Sequence, residues 1–246
     1  MLAFGMVLLV GAACGSSGGA SGQPMPGASV GQSLDRTLPA RVSHVRLTDA
    51  AGRVLTLAAL RGKIVVVSDM LTLCQGTCPL DTANIVGTAR RLQAAGLTGK
   101  VAFLSVTVDP ERDVARRLAS YRRQYAPAPS DWYVLSGAPT DIKLFWDTLG
   151  VFRKREPDAQ PGPKDWLTGR RLTYDVTHSD EVFFFDRTGR ERFLLQGLPH
   201  VSPGSPIPPA LKAFVAAGDE GPTSSPHGWT TDQAVQVLSW LLDRHI

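Results

Sequence analysis

Cysteine is scarce in this sequence, and so are clusters of basic residues. Only three of the 246 residues are cysteine, and so small an odd number does not suit a framework of disulfides. The net charge is +4, but no run of Lys and Arg is interleaved with aromatic residues, so nucleic acid is not an expected partner. No internal repeat is found. Hydrophobic residues make up 43% of the chain, and the length suits one domain with insertions or at most two small domains.

The apolar stretch at residues 2–10 is too short to span a bilayer as a helix, which takes about 20 residues. Small residues and Cys14 follow it, as in a bacterial lipoprotein signal, although no Lys or Arg precedes it. We expect residues 1–13 to be a signal peptide, Cys14 to carry a lipid anchor and the Gly/Ser-rich residues 14–32 to be a flexible tether. Residues 33–246 would then lie at the extracytoplasmic face of the cell membrane. A disordered apolar tail on a soluble protein is the alternative.

Periodicity predicts a mixed α/β domain in the rest of the chain. Strands are predicted at residues 41–47, 53–57, 64–67, 101–108, 132–135, 181–186 and 191–196. Helices are predicted at residues 79–95, 109–125, 140–149 and 230–244. This order matches a thioredoxin-like fold with an added N-terminal β-hairpin. The proline-containing stretches 153–177 and 197–229 are predicted to be loop insertions, with a short helix at 210–216 in the second.

Cys74 and Cys78 lie at the junction of a predicted buried strand and a predicted helix. Their spacing is about one helical turn, so both thiols point the same way. The free N–H groups and positive end of the helix dipole favour thiolates and lower their pKa. Two such thiolates can form a disulfide or hold a soft metal such as Cu(I) or Zn(II). A passive disulfide remains a third interpretation, although closing so short a loop gains little.

His178 directly precedes the predicted strand at residues 181–186. In a thioredoxin-like topology the loop that enters this strand lies beside the cysteine loop, so the imidazole is expected to join the two sulfurs. Two thiolates satisfy Cu(I), and an imidazole adds a ligand acceptable to Cu(II). Taken alone, His178 would be an ordinary loop histidine, and its position is what makes it a candidate ligand.

Three segments of the sequence resemble the SCO/SenC family of copper-binding, thioredoxin-fold proteins that assist cytochrome c oxidase assembly. They are the C-x3-C-P segment at residues 74–79, the segment Val-Thr-Val-Asp-Pro-Glu-Arg-Asp at 106–113, and Thr-His-Ser at 177–179 with the strand that follows. The second is the most diagnostic, because simple disulfide oxidoreductases lack it. The resemblance covers roughly residues 30–245.

The resemblance implies that Cys74, Cys78 and His178 are copper ligands. It also implies a copper chaperone that delivers the metal to the copper A centre of a terminal oxidase. The expected partners are the oxidase subunit or another copper chaperone. The sequence departs from the family at Gln75, where the family usually carries Pro, and at Thr177, where it usually carries Asp.

Other functions remain open. A thiol–disulfide oxidoreductase would cycle Cys74 and Cys78 between dithiol and disulfide on a partner's cysteines, with His178 only a neighbour. A peroxidase is disfavoured. Thioredoxin-fold peroxidases carry a characteristic Pro and Thr ahead of the reactive cysteine, and no Pro lies shortly before Cys74. A binding module for signalling or stress sensing is a third class.

Several further residues have competing interpretations. Asp109 is predicted as a helix N-cap rather than a carboxylate near the site, and Met70 as a core residue rather than a thioether ligand. Asp175 or Asp180 is expected to hold the imidazole in place of the missing Asp. Trp166 is the candidate partner contact. The remaining histidines are expected on the surface: His44, His200, His227 and His245.

Overall fold

The computed structural model describes residues 22–158, 160–201, 207–212, 215 and 228–246. Its strands are β1 Gln32–Thr37, β2 Leu47–Asp49, β3 Val54–Leu55, β4 Ile64–Met70, β5 Val101–Thr107, β6 Trp132–Ser136, β7 Arg153–Pro157, β8 Tyr174–His178, β9 Glu181–Phe185, β10 Arg190–Gln196, β11 Leu198–Pro199 and β12 Gly228–Trp229. Its helices are α1 Ala40–Ser43, α2 Cys78–Ala94, α3 Ala115–Gln124, α4 Pro139–Leu149 and α5 Thr231–Leu242. The predicted signal peptide and Cys14 lie outside the described residues. Within those residues, every helix is too short or too polar to cross a bilayer.

Eight strands form one sheet in the order β1-β10-β9-β4-β5-β6-β2-β3. Strands β4, β5 and β6 run parallel, and β9 and β10 are antiparallel to their neighbours. Helix α2 connects β4 to β5, and α5 follows the β9–β10 hairpin. This is the thioredoxin-like arrangement that the sequence predicts. Strand β1 extends one edge, and the β2–β3 hairpin extends the other.

Each face of the sheet carries a hydrophobic cluster. All seven residues of β4 are buried, as a β-branched run between two helical layers requires. Helices α2, α3 and α5 pack on one face and α4 on the other. Cys74 and Cys78 belong to the cluster on the α4 face, whereas Met70 belongs to the opposite cluster. The sulfur pair therefore lies where the chain leaves β4 and enters α2.

One strand predicted near the start of the domain is wrong. Residues 41–47 were expected to form a strand, but Ala40–Ser43 is a helical turn and the strand is β2. The buried residues Val42 and Val45 are three apart, a helical spacing. Strand β1, at the predicted start of the domain, pairs with β10 and was not predicted as a strand. Its residues are largely exposed, so they carry little hydrophobic signal.

Helix α3 begins at Ala115, not at Asp109, so the predicted N-cap is wrong. The backbone amides of Arg112 and Asp113 bond to the Asp109 carbonyl in a separate turn. The Asp109 carboxylate pairs with the Arg112 guanidinium and accepts a hydrogen bond from the Tyr174 hydroxyl at 3.3 Å. These contacts hold it away from a capping position.

Residues 153–157 and 174–178, at the two ends of the predicted loop insertion, form a pair of strands, the β7–β8 hairpin. Strands β7 and β8 pair antiparallel, with Arg153 opposite His178 and Pro157 opposite Tyr174. His178 is therefore the last residue of a strand. In the second insertion, β11 and β12 pair in parallel. Of the short helix predicted at 210–216, residues 210 and 211 form a turn and residue 212 has 3-10 helical conformation, whereas 213, 214 and 216 lie outside the described residues.

Candidate metal site

The fold brings together three side chains that are far apart in the sequence. One ligand atom from each of Cys74, Cys78 and His178 lies within 4.8 Å of the others. Cys78 Sγ is 3.2 Å from His178 Nε2, across 100 sequence positions. Both cysteines are free thiols. The arrangement offers two sulfurs and one imidazole nitrogen to a single metal ion.

The chain geometry around the cysteines explains why their sulfurs meet. After β4 the chain turns so that the Cys74 amide bonds to the Leu71 carbonyl. Cys78 is the first residue of α2, and Pro79 follows in the first turn, where its missing N–H costs nothing. The Thr77 hydroxyl donates to Asp180 Oδ1 at 2.8 Å. This bond ties the start of α2 to the turn that carries His178.

The segment at residues 106–113 holds the cysteine loop in place through hydrogen bonds to Asp113. The Thr72 hydroxyl donates to Asp113 Oδ1 at 2.5 Å, and the Thr107 hydroxyl donates to Asp113 Oδ2 at 2.5 Å. The Thr72 amide also donates to Asp113 Oδ2, at 3.2 Å. Asp113 thereby fixes the residue two positions before Cys74. This contact gives the diagnostic segment a physical role in the site.

Trp166 reaches the same loop from the β7–β8 insertion. Its Nε1–H donates to the Thr72 carbonyl at 2.7 Å, and its ring lies 6.3 Å from that of Tyr121. Arg117 pairs with the buried Asp165 carboxylate at 2.6 Å and secures the same insertion. The structure thus gives Trp166 an internal contact while leaving it half-buried, and its contact with a partner stays a prediction.

The imidazole of His178 is buried, with 3% of its side chain exposed. Its Nδ1 lies 2.6 Å from Asp69 Oδ2, 3.0 Å from the Ser179 carbonyl oxygen and 3.9 Å from Asp180 Oδ1. Asp175 was a candidate to hold this ring, but its Oδ1 accepts from the Val176 amide. The expectation that Asp175 or Asp180 does so is therefore wrong, because Asp69 lies closest.

Sequence reasoning missed Asp69 because it lies within the buried strand β4. The one available signal was an acidic residue in an otherwise apolar run, Ile-Val-Val-Val-Ser-Asp-Met. A buried carboxylate costs free energy unless it is paired, so such a residue points to a nearby partner. No spacing in the sequence relates it to His178, 109 positions further along.

The electrostatics of the site favour one thiolate in the metal-free protein. A hydrogen bond with the Cys78 thiol lowers the pKa of Cys74 well below its usual value, and His178 contributes to the same effect. Burial, reinforced by Cys74, raises the pKa of Cys78. Burial alone would lower the pKa of His178, but Asp69 and Cys74 outweigh it and raise that pKa well above its usual value. These shifts favour a thiolate at Cys74, a thiol at Cys78 and a protonated imidazole at His178.

Two further carboxyl groups lie near the imidazole. Burial raises the pKa of Asp180 to about 7, with the charge of Asp69 adding to the effect and that of His178 opposing it. Burial raises the pKa of Asp81 well above its usual value, as do the charges of Asp180 and Asp69. Asp81 Oδ1 accepts a hydrogen bond from Trp229 Nε1 at 2.9 Å. The raised pKa values favour the neutral form of each carboxyl group, which lowers the negative charge near the imidazole.

The sulfurs are shielded from solvent, since Cys74 is 8% exposed and Cys78 is fully buried. Gln75 Nε2 donates to Asp158 Oδ1 at 2.7 Å, which joins the cysteine loop to the chain just after β7. A metal ion or a partner's cysteine must therefore enter past the β7–β8 hairpin or through a movement of the cysteine loop.

The remaining candidate residues lie away from the three ligands. Met70 packs in the opposite hydrophobic cluster, so its predicted core role is confirmed. His44 and His245 are exposed as expected. The expectation that His200 lies on the surface is wrong, because both of its ring nitrogens are buried. His227 lies outside the described residues.

Comparison with known proteins finds similarity to SCO homologues. The "Protein SCO2 homolog, mitochondrial" of Bos taurus is 33% identical over 143 residues, 58% of this chain and 49% of that protein. The "SCO1 protein homolog" of Bacillus subtilis is 26% identical over 116 residues, 47% of this chain and 59% of that protein. The chain thus spans between half and three-fifths of the length of these relatives.

Solved structures support the fold. The apo Sco1 protein of Thermus thermophilus superposes with a TM-score of 0.55 at 22% identity, covering 85% of this chain and 95% of that one. A SCO1/SenC family lipoprotein from Bacillus anthracis superposes with a TM-score of 0.53 at 23% identity, covering 72% of this chain and 91% of that one.

The sequence profile of one protein family, SCO1/SenC, matches residues 36–201. That match includes β4, the cysteine pair, the segment at 106–113 and the strand that ends at His178. Because it covers more than half of the chain, with a fold and a cysteine–histidine cluster that agree with it, this protein belongs to the SCO1/SenC family.

Proposed function

We propose that this protein is an extracytoplasmic copper chaperone that binds copper through Cys74, Cys78 and His178. It assists maturation of the copper A centre of cytochrome c oxidase. The observation that carries the proposal is the convergence of the three ligand atoms within 4.8 Å. Two thiolates and an imidazole suit copper in both oxidation states. Membership of a family whose members bind copper supports copper over zinc.

The raised pKa of the Cys78 thiol supports a link between metal binding and proton release. A metal ion must displace the proton held by Cys78, whose pKa is raised by burial. Binding therefore depends on pH and on exclusion of water from the sulfur pair. A partner's cysteine and histidine ligands would take the metal by stepwise exchange, starting at the less buried Cys74.

The proposed location is the extracytoplasmic face of a bacterial cell membrane, with a lipid anchor at Cys14. The pattern of residues 2–14 supports it, and so does the similarity to a SCO1/SenC family lipoprotein of Bacillus anthracis. The proposed partners are a copper A-bearing oxidase subunit or another copper chaperone. A membrane anchor would keep the protein beside an oxidase subunit in the same membrane.

Thiol–disulfide exchange is the second candidate function. The lowered pKa of Cys74, caused first by its hydrogen bond with the Cys78 thiol, gives an attacking thiolate beside a second cysteine. The same pair can serve both roles. The exchange role requires access to Cys74, which is 8% exposed.

A transfer assay separates these two functions. Reduced protein loaded with Cu(I) is mixed anaerobically with the metal-free, reduced soluble domain of a copper A-bearing oxidase subunit. A chaperone transfers copper and produces copper A absorption after oxidation, whereas the Cys78→Ala variant does not. If the metal-free reduced protein only reduces an oxidised copper A domain and holds no copper, the oxidoreductase function replaces the chaperone.

A further inference from the structure

Asp69 occupies an unusual place for a charged residue. It is the sixth residue of β4, which is hydrogen-bonded to β5 on one side and to β9 on the other, and its side chain is 2% exposed. Oδ1 accepts a hydrogen bond from the Glu181 amide at 2.9 Å. Among the described residues Oδ2 makes no hydrogen bond of regular geometry, and it lies 2.6 Å from His178 Nδ1. The imidazole is therefore the charge partner of this carboxylate.

We infer that Asp69 is a positioning residue, which holds the His178 imidazole from the central sheet so that Nε2 faces the sulfur pair. The inference rests on the proposed copper site. The nitrogen that faces Cys78 Sγ is Nε2, at 3.2 Å, and the opposite nitrogen faces Asp69. A carboxylate behind a ligand histidine fixes the ring orientation and makes the metal-facing nitrogen a stronger donor.

The neighbouring acceptors differ from Asp69 in charge and in position. The Ser179 carbonyl lies 3.0 Å from Nδ1 and can accept its proton, but it is uncharged and belongs to the residue next to the histidine. Asp180 Oδ1 is further away, at 3.9 Å, and accepts from the Thr77 hydroxyl. Asp69 alone among these three lies on a strand with partners on both sides. Its contact therefore fixes the position of the imidazole relative to the central sheet, and strand β4 of that sheet also leads into the cysteine loop.

The local sequence at Thr177 agrees with this arrangement. Thr177 occupies the position where the family usually carries Asp, and its hydroxyl donates to Glu156 Oε2 at 2.8 Å on the exposed side of the β7–β8 hairpin. The side chain at this position points away from the imidazole. In this chain the carboxylate for the ring comes from β4 instead of from the strand that carries the histidine.

The test compares Asp69→Asn with Asp180→Asn in the full chain. Asparagine keeps an oxygen for the Glu181 amide and removes the charge that faces Nδ1. We expect Asp69→Asn to weaken Cu(II) binding by about 10- to 100-fold and to change the copper–nitrogen hyperfine coupling in EPR spectra. Cu(I) affinity should fall much less, since both thiolates remain. Asp180→Asn should change the Cu(II) affinity and the coupling less.

Equal effects of the two substitutions, or wild-type Cu(II) binding and spectrum in Asp69→Asn, would overturn the inference. ¹⁵N NMR of the Cu(I)-loaded wild-type protein tests it without any variant, in case Asp69→Asn does not fold. We expect the proton on Nδ1 and the metal on Nε2, and the reverse assignment would also overturn it. If wild-type protein binds no copper, the proposed function fails first; if it binds copper through Cys74, Cys78 and His178 without dependence on Asp69, only this inference fails.

Discussion

Gln75 Nε2 donates a hydrogen bond to Asp158 Oδ1 at 2.7 Å, and this contact holds the β7–β8 hairpin against the cysteine loop. Gln75 lies between the two cysteines, at the position where the family usually carries a proline that has no side-chain donor. The bond therefore connects an insertion with the loop that carries the sulfurs. Access to Cys74 should depend on it.

Gln75→Ala should make Cys74 react faster with a thiol-alkylating reagent. Loss of one hydrogen bond of about 0.5–1.5 kcal/mol corresponds to about a 2- to 10-fold increase in the population of the open loop. The measurement is the alkylation rate of the reduced protein, followed by mass spectrometry. Gln32→Ala on the exposed edge strand β1 is the matched control. An unchanged rate in Gln75→Ala would show that the hairpin does not limit access.

Asp113 should make the stability of the metal-free protein depend on pH. Burial raises its pKa from 3.8 to about 6, so folding takes up a proton between these values. Its contribution to the free energy of unfolding is complete below the unfolded pKa and is lost as pH rises through the folded pKa. Because of Asp113, the free energy of unfolding measured in urea should be about 1–3 kcal/mol lower above this pH range than below it.

Asp113→Asn removes the titrating group, keeps an oxygen for one of the two threonine hydroxyls and offers an amide N–H to the other, which can accept it. The variant should show a smaller loss of stability between about pH 3 and about pH 7, an interval that brackets the unfolded pKa of 3.8 and the folded pKa of about 6. Other buried acids, including Asp180, still titrate in both proteins. The comparison with wild type isolates Asp113, and identical pH profiles for the two proteins would refute its role.

Trp166→Phe should destabilise the protein more than the same change at Trp240. The first removes the hydrogen bond from Nε1 to the Thr72 carbonyl, which then lacks its partner. An unsatisfied buried acceptor costs about 1–3 kcal/mol. Trp240 packs against Phe193 and serves as the control for loss of ring size. Urea unfolding measures both, and equal losses would mean that the indole bond contributes nothing to the loop.

The sequence was sufficient for the central part of the fold because its signals are local. The continuous apolar run of β4, Pro79 in the first turn of α2 and the Gly turn before β10 each determine the structure within a few residues. The thioredoxin-like sheet was predicted for this reason. Convergence of Cys74, Cys78 and His178 followed from that topology together with the family resemblance.

The missed features depend on contacts between distant segments. The β7–β8 hairpin was taken for a loop because prolines interrupt it, yet it pairs residue by residue from Arg153 to Pro157. The exposed edge strand β1 lacks an apolar pattern. Asp69 on β4 contacts His178 at the end of β8, which belongs to a separate two-stranded sheet, so their proximity exists only after the two sheets have come together. The turn that precedes α3 is set by the Asp109–Arg112–Tyr174 contacts, which helix-capping rules do not include.

The most direct test of the copper site is anaerobic titration of the full, reduced protein with copper, paired with His178→Ala. X-ray absorption of the loaded wild-type protein should show two sulfur ligands and one nitrogen ligand per copper. His178→Ala should weaken Cu(II) binding far more than Cu(I) binding, because two thiolates still satisfy Cu(I). Retention of full Cu(II) affinity and an unchanged spectrum in His178→Ala would contradict the proposed ligand set.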